Sequence, residues 1–236
     1  AGYKVITLMP GPKGYATLDA LQAVLSERTA GLMITNPEDT GLFNPEIDRF
    51  VARIHDAGGL CAYDQANANG LLGIARAGDI GFDLCQFNLH KTFSGPHSSN
   101  GQACAAICVS EDLARFLPRP VVVFDGQQYG LEDPPDSIGK VRGYLGNLQV
   151  AVKAYAWIRS LGAAGLKAAA QTAVLNSNYM ARRLSRTPGF ELPYDTSIRR
   201  LEQVRYSLAP LKEDTGIGGP EMKMRMIDFG QQHIFE

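Results

Sequence analysis

The sequence is poor in several features that would settle its class at once. It holds four cysteines and one tryptophan in 236 residues, with no C-x-x-C pair and no Cys/His quartet, so neither a disulfide scaffold nor a metal site is expected from spacing. Cys61, Cys85, Cys104 and Cys108 lie within apolar runs (GGLCAY, FDLCQF, ACAAICV), where a thiol behaves as a small buried hydrophobe, and a reducing compartment is expected. The longest apolar stretches, such as 103–109 and 120–124, fall far short of the ~20 residues that a spanning helix needs. Charge of one sign is missing too. The balance of 23 Lys+Arg against 24 Asp+Glu has no long single-sign run, which excludes the footprint of a nucleic-acid binder or an anionic-membrane binder and favours a small ligand. The opening AGYKVITLMP has no Met and no basic segment leading into an apolar one, so no targeting peptide is expected and a cytoplasmic location is.

What is present is the composition of a soluble α/β protein of one or two domains, 45% hydrophobic and 20% charged. Thr17 is placed to cap a helix carrying Leu18, Leu21 and Leu25, and GLMIT (31–35) reads as a short buried strand. Asn44-Pro45 starts a second helix, in which Ile47, Phe50, Val51 and Ile54 recur at i, i+3, i+4 and i+7 before AGG (57–59) stops it. LCAYD (60–64), GFDLCQFN (81–88) and ACAAICV (103–109) read as further buried strands. Alternating helices and nearly continuous apolar strands predict a largely parallel sheet covered on both faces. Residues 110–136 are less regular. Helices are expected over 137–162 and 163–186, and TPGF (187–190) breaks the chain. The organisation expected is a large cofactor-binding domain with its connecting helices, 1–186, and part of a smaller α+β unit, 187–236, with QVRYSLAP (203–210) as a strand and GGPEMKMRMIDFG (218–230) as a helix.

In an open α/β sheet, ligands bind beyond the carboxyl ends of the strands. The strand 60–64 ends in Asp64, and the strand 81–88 ends in Asn88 followed by Leu89, His90 and Lys91. A carboxylate and an amine on one rim suit pyridoxal phosphate chemistry: the amine forms a Schiff base with the cofactor aldehyde, and the carboxylate keeps the pyridine nitrogen protonated. His90 could orient the cofactor or relay a proton. Spacing alone leaves Asp64 open to the role of a turn former or cap, Lys91 to that of a solvated amine, and His90 to that of a satisfied core histidine.

The strings TNPEDTGLFNPEI (35–47), AGGLCAYDQANANGLLGIARAGDIGFD (57–83), FNLHKTFSGPH (87–97), SIGKVRGYLGNLQVAVKAYAWIRSLG (137–162), AVLNSNYMARRL (173–184) and PLKEDTGIGGPEMKMRMIDFG (210–230) resemble, in collinear order, the glycine decarboxylase P-protein of the glycine cleavage system, in its C-terminal or subunit 2 half. The resemblance implies the aminotransferase-like fold type I and pyridoxal 5'-phosphate on Lys91. It implies that Asp64 pairs with the pyridinium, that Ala66 packs on the ring, and that Asn67, His90 and His97 lie in or near the site, with Thr35 and Asn36 bordering the cofactor. The reaction implied is decarboxylation of glycine with transfer of the aminomethyl group to the lipoyl arm of a carrier H-protein. Further partners implied are a second P-protein half or another copy of the chain, and the location is cytoplasmic, or the mitochondrial matrix in a eukaryote. The runner-up readings are another pyridoxal phosphate lyase or aldolase on the same scaffold, and a non-catalytic partner subunit or fragment.

Three departures from the family's pattern stand out. Gln65 stands where DGAN is usual; Ser98, Ser99, Asn100 and Gly101 stand where a run of glycines is usual; Leu201 precedes Glu202 where His-Glu is common. The family's chain also begins well upstream, and that part supplies the phosphate cradle and a stacking histidine. Residues 1–236 are therefore read as a fragment, expected to bind the cofactor poorly by themselves.

Overall fold

In a computed structural model, residues 2–97 and 102–231 are described. The first half builds a four-stranded sheet in the order β1 (Gly31–Thr35), β2 (Leu60–Gln65), β3 (Leu84–Asn88), β4 (Ala105–Val109). The first three strands are parallel, with Thr35 opposite Asp64 and Asp64 opposite Gln86. β4 returns antiparallel along β3. α1 (Leu18–Gln22) precedes β1, and α2 (Ile47–Asp56) and α3 (Ala77–Ile80) connect the parallel strands. Thr17 caps α1 as expected, its Oγ1 accepting the Ala20 N–H at 3.2 Å, although the helix stops at Gln22, short of Leu25.

The expected apolar stripe of α2 is the heart of the core: Phe50 is 0% exposed, and Ile47, Val51 and Ile54 are all buried. Gly58, at φ 81°, ends the helix in a conformation that a side chain would resist. α2 packs on β1 and β2, where the Cys61 thiol points to the Val51 carbonyl at 3.9 Å. Tyr63 stacks on Phe82 with ring centroids 4.4 Å apart. Because Phe50 has no route to solvent, Phe50→Ala should destabilise the protein by about 3–5 kcal/mol, read as a lower denaturation midpoint at an unchanged m-value.

The other sheet face departs from the expectation of cover on both sides. Met33 is 75% exposed, Ile107 55% and Leu60 47%, and the pairing register puts all three on the same side as Asp64. The thiols divide accordingly. All four are free, with Cys61 and Cys85 buried as expected, but Cys104 only half-buried and Cys108 exposed. Cys108 lies on β4, which has a neighbour on one side only.

Residues 110–136 hold more structure than their composition suggested: α4 (Glu111–Ala114) and a hairpin of β5 (Val121–Phe124) and β6 (Tyr129–Glu132). Asp125 makes the turn, its Oδ1 accepting the N–H groups of Gln127 and Gln128 at 2.8 Å each. The helix expected from 137 begins at 148, because Gly139 and Gly146 take φ values of 99° and 88°. α5 (Leu148–Leu184) is interrupted at Gly162 (φ 63°, ψ −179°), at the expected junction of two helices. Beyond it come α6 (Ala209–Thr215) and α7 (Gly219–Asp228), the latter as expected. QVRYSLAP is no strand: a single bridge joins Glu191 to Ser207.

Two compact units result, one of residues 1–20, 37–44 and 171–236, the other of residues 21–36 and 45–170. The first draws on both sides of the 186/187 break read from the sequence. In it Arg200 is 2% exposed, donating to the Pro193 carbonyl at 2.6 Å, while Asn178 brackets its backbone. Leu201 donates its N–H to the Gly41 carbonyl at 2.8 Å. The second unit carries the sheet.

Candidate active site

Parallel pairing of β1, β2 and β3 brings three carboxyl ends to one edge of the sheet, and with them Thr35 and Asn36, Asp64, and the turn holding His90 and Lys91. Asp64 is half-buried. Its Oδ1 accepts the Ala66 N–H at 2.9 Å and the Gln86 side-chain amide at 2.6 Å, so both bonds land on one oxygen and Oδ2 remains for a further donor. The first bond is an Asx turn, which fixes the chain direction after β2 and sets Ala66 beside the carboxylate. Gln86 was not singled out from the sequence, although the parity of the strands could have found it: Asp64 and Gln86 are register partners on one face.

Gln65 points the other way. It is 3% exposed, on the face opposite Asp64, with Oε1 buried and without a hydrogen-bond partner. The Gln65 side chain therefore enters the core under the sheet rather than the rim.

Lys91 lies in the turn directly after β3 and is exposed. Its backbone N–H donates to the Asn88 carbonyl at 3.2 Å, and the Gly95 N–H closes back on the Leu89 carbonyl at 2.8 Å. Gly95 is indispensable to that closure, since a Cβ there would lie 2.6 Å from both the Leu89 oxygen and Val150 Cγ1. The neighbouring Thr92 is buried, and its hydroxyl accepts the Ala68 N–H at 2.8 Å, tying the lysine turn to the loop after β2. Phe93 packs edge-on against Phe87 and Trp157.

His90 is half-buried. Its Nδ1 lies 3.1 Å from the Cys104 carbonyl oxygen and 3.2 Å from the Cys104 N–H, and its ring meets that of His97 at 4.4 Å between centroids. Asn36 is buried, and its carbonyl accepts the Tyr63 hydroxyl. Asn67 and Ala66 are half-buried in the loop after β2. Thr35, Asn36, Asp64, Ala66, Asn67, His90, Lys91 and His97 all belong to the sheet-bearing unit. Ser98–Gly101 lie outside the described residues. The backbone of Cys104, Thr92 and Gln86 are the supporting groups that sequence reading missed.

None of the family profiles compared with the chain matches it. Among curated proteins, the chain is 44% identical over 233 residues to a probable glycine dehydrogenase (decarboxylating) subunit 2 of Pyrococcus abyssi, covering 98% of this chain and 46% of that protein. It is a sequence relative of glycine dehydrogenase (decarboxylating) subunit 2. The corresponding protein of Halalkalibacterium halodurans is also 44% identical, over 232 residues, 98% of this chain and 46% of that one. The chain spans about half the length of the curated relatives it matches. Among solved structures, an inhibitor-bound glycine decarboxylase (P-protein) of the glycine cleavage system superposes with a TM-score of 0.63 at 17% identity, over 84% of this chain and 46% of that one. An apo cysteine desulfurase of Thermococcus onnurineus gives 0.67 at 13% identity, over 96% and 54%. The subunit 2 relatives agree with the family read from the strings, and the fold is the aminotransferase-like fold type I.

Proposed function

We propose that this chain is part of a pyridoxal 5'-phosphate-dependent glycine dehydrogenase (decarboxylating). In that reaction glycine loses its carboxylate as CO2, and the remaining aminomethyl group passes to the lipoyl disulfide of a carrier H-protein. One sulfur takes the carbon and the other becomes a thiol, so the disulfide is reduced as the glycine carbon is oxidised. The observation that supports the reading is Asp64 at the end of β2, with both its hydrogen bonds on Oδ1, and an exposed Lys91 in the turn after the neighbouring parallel strand β3, in a chain 44% identical to glycine dehydrogenase subunit 2.

The donor set fits both the ring and the aldehyde of the cofactor. Bound there, pyridoxal phosphate supplies the electron sink that accepts the bonding pair left by the departing carboxylate. Lys91 offers the primary amine for covalent attachment, on a turn pinned by Thr92 and Gly95. Asp64 holds a negative charge at Oδ2 for a protonated ring nitrogen, while Gln86 and the Ala66 N–H fix the carboxylate plane. Ala66 gives a small apolar surface beside that carboxylate. Thr35 and the half-buried Asn67 border the site, whereas Asn36 lies buried behind Thr35, its carbonyl accepting the Tyr63 hydroxyl. His90, oriented by the backbone of Cys104, stands beside the lysine with His97 to hold or move a proton.

Glycine, the lipoylated H-protein, and a second P-protein half or another copy of this chain are the partners this reading requires, in the cytoplasm or the mitochondrial matrix. No helix among the described residues is long and apolar enough to cross a membrane, and the formal charge is near balance, 23 Lys+Arg against 24 Asp+Glu. Combined with its companion polypeptide, cofactor and a lipoylated carrier, the protein should exchange labelled CO2 into glycine. An assembly that binds cofactor yet exchanges nothing would overturn the reading, and turnover of a different amino acid alone would reassign it to another pyridoxal phosphate enzyme class.

A further inference from the structure

At the opposite edge of the same sheet, three side chains of different ligand chemistry meet. His55 comes from the last turn of α2, Cys61 is the second residue of β2, and Asp83 directly precedes β3. His55 Nε2 lies 2.9 Å from Asp83 Oδ2, the same oxygen accepts the Cys61 N–H at 2.6 Å, and one ligand atom from each of the three lies within 4.8 Å of the others. We propose that His55, Cys61 and Asp83 form a metal site for a borderline-soft divalent cation of the Zn2+ class.

The geometry is close to what such an ion demands. Metal bonds of about 2.0–2.3 Å in a tetrahedron put neighbouring ligand atoms roughly 3.3–3.6 Å apart. The His55–Asp83 contact would open slightly on binding, and the thiol would close in slightly. All three residues end or begin regular elements packed against one another, so side-chain rotation supplies the change without moving the backbone. Ligand type selects the cation: one nitrogen, one sulfur and one oxygen donor suit Zn2+ or Co2+, whereas Mg2+ and Ca2+ favour oxygen donors throughout. Charge balances as well, since a thiolate and a carboxylate offset a dication beside a neutral imidazole.

The alternative use of such a trio, a histidine-activated thiol nucleophile, is disfavoured. Cys61 is fully buried. Its thiol is turned toward the Val51 carbonyl at 3.9 Å, so no substrate carbon can reach it as a nucleophile. A metal ion releases the thiol proton and takes the sulfur directly. His55 is exposed, which leaves the fourth position open to a solvent ligand.

Equilibrium titration of the 236-residue chain with Co2+, and with Zn2+ in competition, tests the site. The expected result is one ion per chain, with the near-ultraviolet charge-transfer absorption of a cobalt–thiolate bond that Zn2+ abolishes. Cys61→Ser should remove that absorption, and His55→Gln, a change at an exposed ring, should raise the Kd at least tenfold with an unaltered circular dichroism spectrum. No thiolate band, or a band and affinity unchanged in both His55→Gln and Asp83→Asn, would overturn the proposal. If Cys61→Ser fails to fold, His55→Gln and Asp83→Asn together decide it. The readout needs neither pyridoxal phosphate nor turnover, so it stands or falls separately from the function proposed above.

Discussion

Borohydride reduction of the assembled, pyridoxal phosphate-loaded enzyme should add one pyridoxyl mass to the wild-type chain and none to Lys91→Ala, whose glycine turnover should fall below detection. The expectation rests on placement. Lys91 follows β3 in a turn closed by Gly95 on Leu89 and braced by Thr92, it is exposed, and its backbone makes the turn's hydrogen bond. Removing an exposed side chain there should leave melting behaviour within about 0.5 kcal/mol of wild type. Substantial decarboxylation by Lys91→Ala, or a pyridoxyl adduct mapped to another lysine, would take Lys91 out of the mechanism.

Asp64→Asn should lower kcat on the order of 10²–10³-fold while cofactor remains bound, the scale of losing one preorganised charge at a reacting centre. Asn keeps an oxygen to accept from Ala66 and Gln86, so the loop after β2 should hold its shape. It places an amide donor where Oδ2 had been an acceptor, and a donor cannot keep a ring nitrogen protonated. The absorption spectrum of bound cofactor should shift with the change in ring protonation. Near-normal turnover would mean that another acid serves the ring.

The rim was legible in the sequence because two signals coincide there. Apolar strands of fixed period show where a parallel sheet runs, and the residues just past their ends, Asp64, His90 and Lys91, are the ones such a sheet brings together. Where one signal was missing, reading failed. The hairpin after α4 depends on an Asp125 side-chain turn that composition hides. The start of α5 depends on glycines whose left-handed backbone is chosen by context. Cover on both faces was inferred from apolar strand composition, yet Met33 and Ile107 carry that composition while exposed. Gln86 and the trio at His55 escaped notice because cross-strand neighbours belong to register, and register is not written in any single segment.

The opposed directions of Asp64 and Gln65 have a bearing on how such a protein can change over time. Adjacent codons here answer to separate demands: one to the reaction at the rim, the other to the fit of a helix beneath the sheet. A change of side chain at the second acts on packing without reaching the first, and the pleat of a single strand insulates chemistry from packing across one peptide bond.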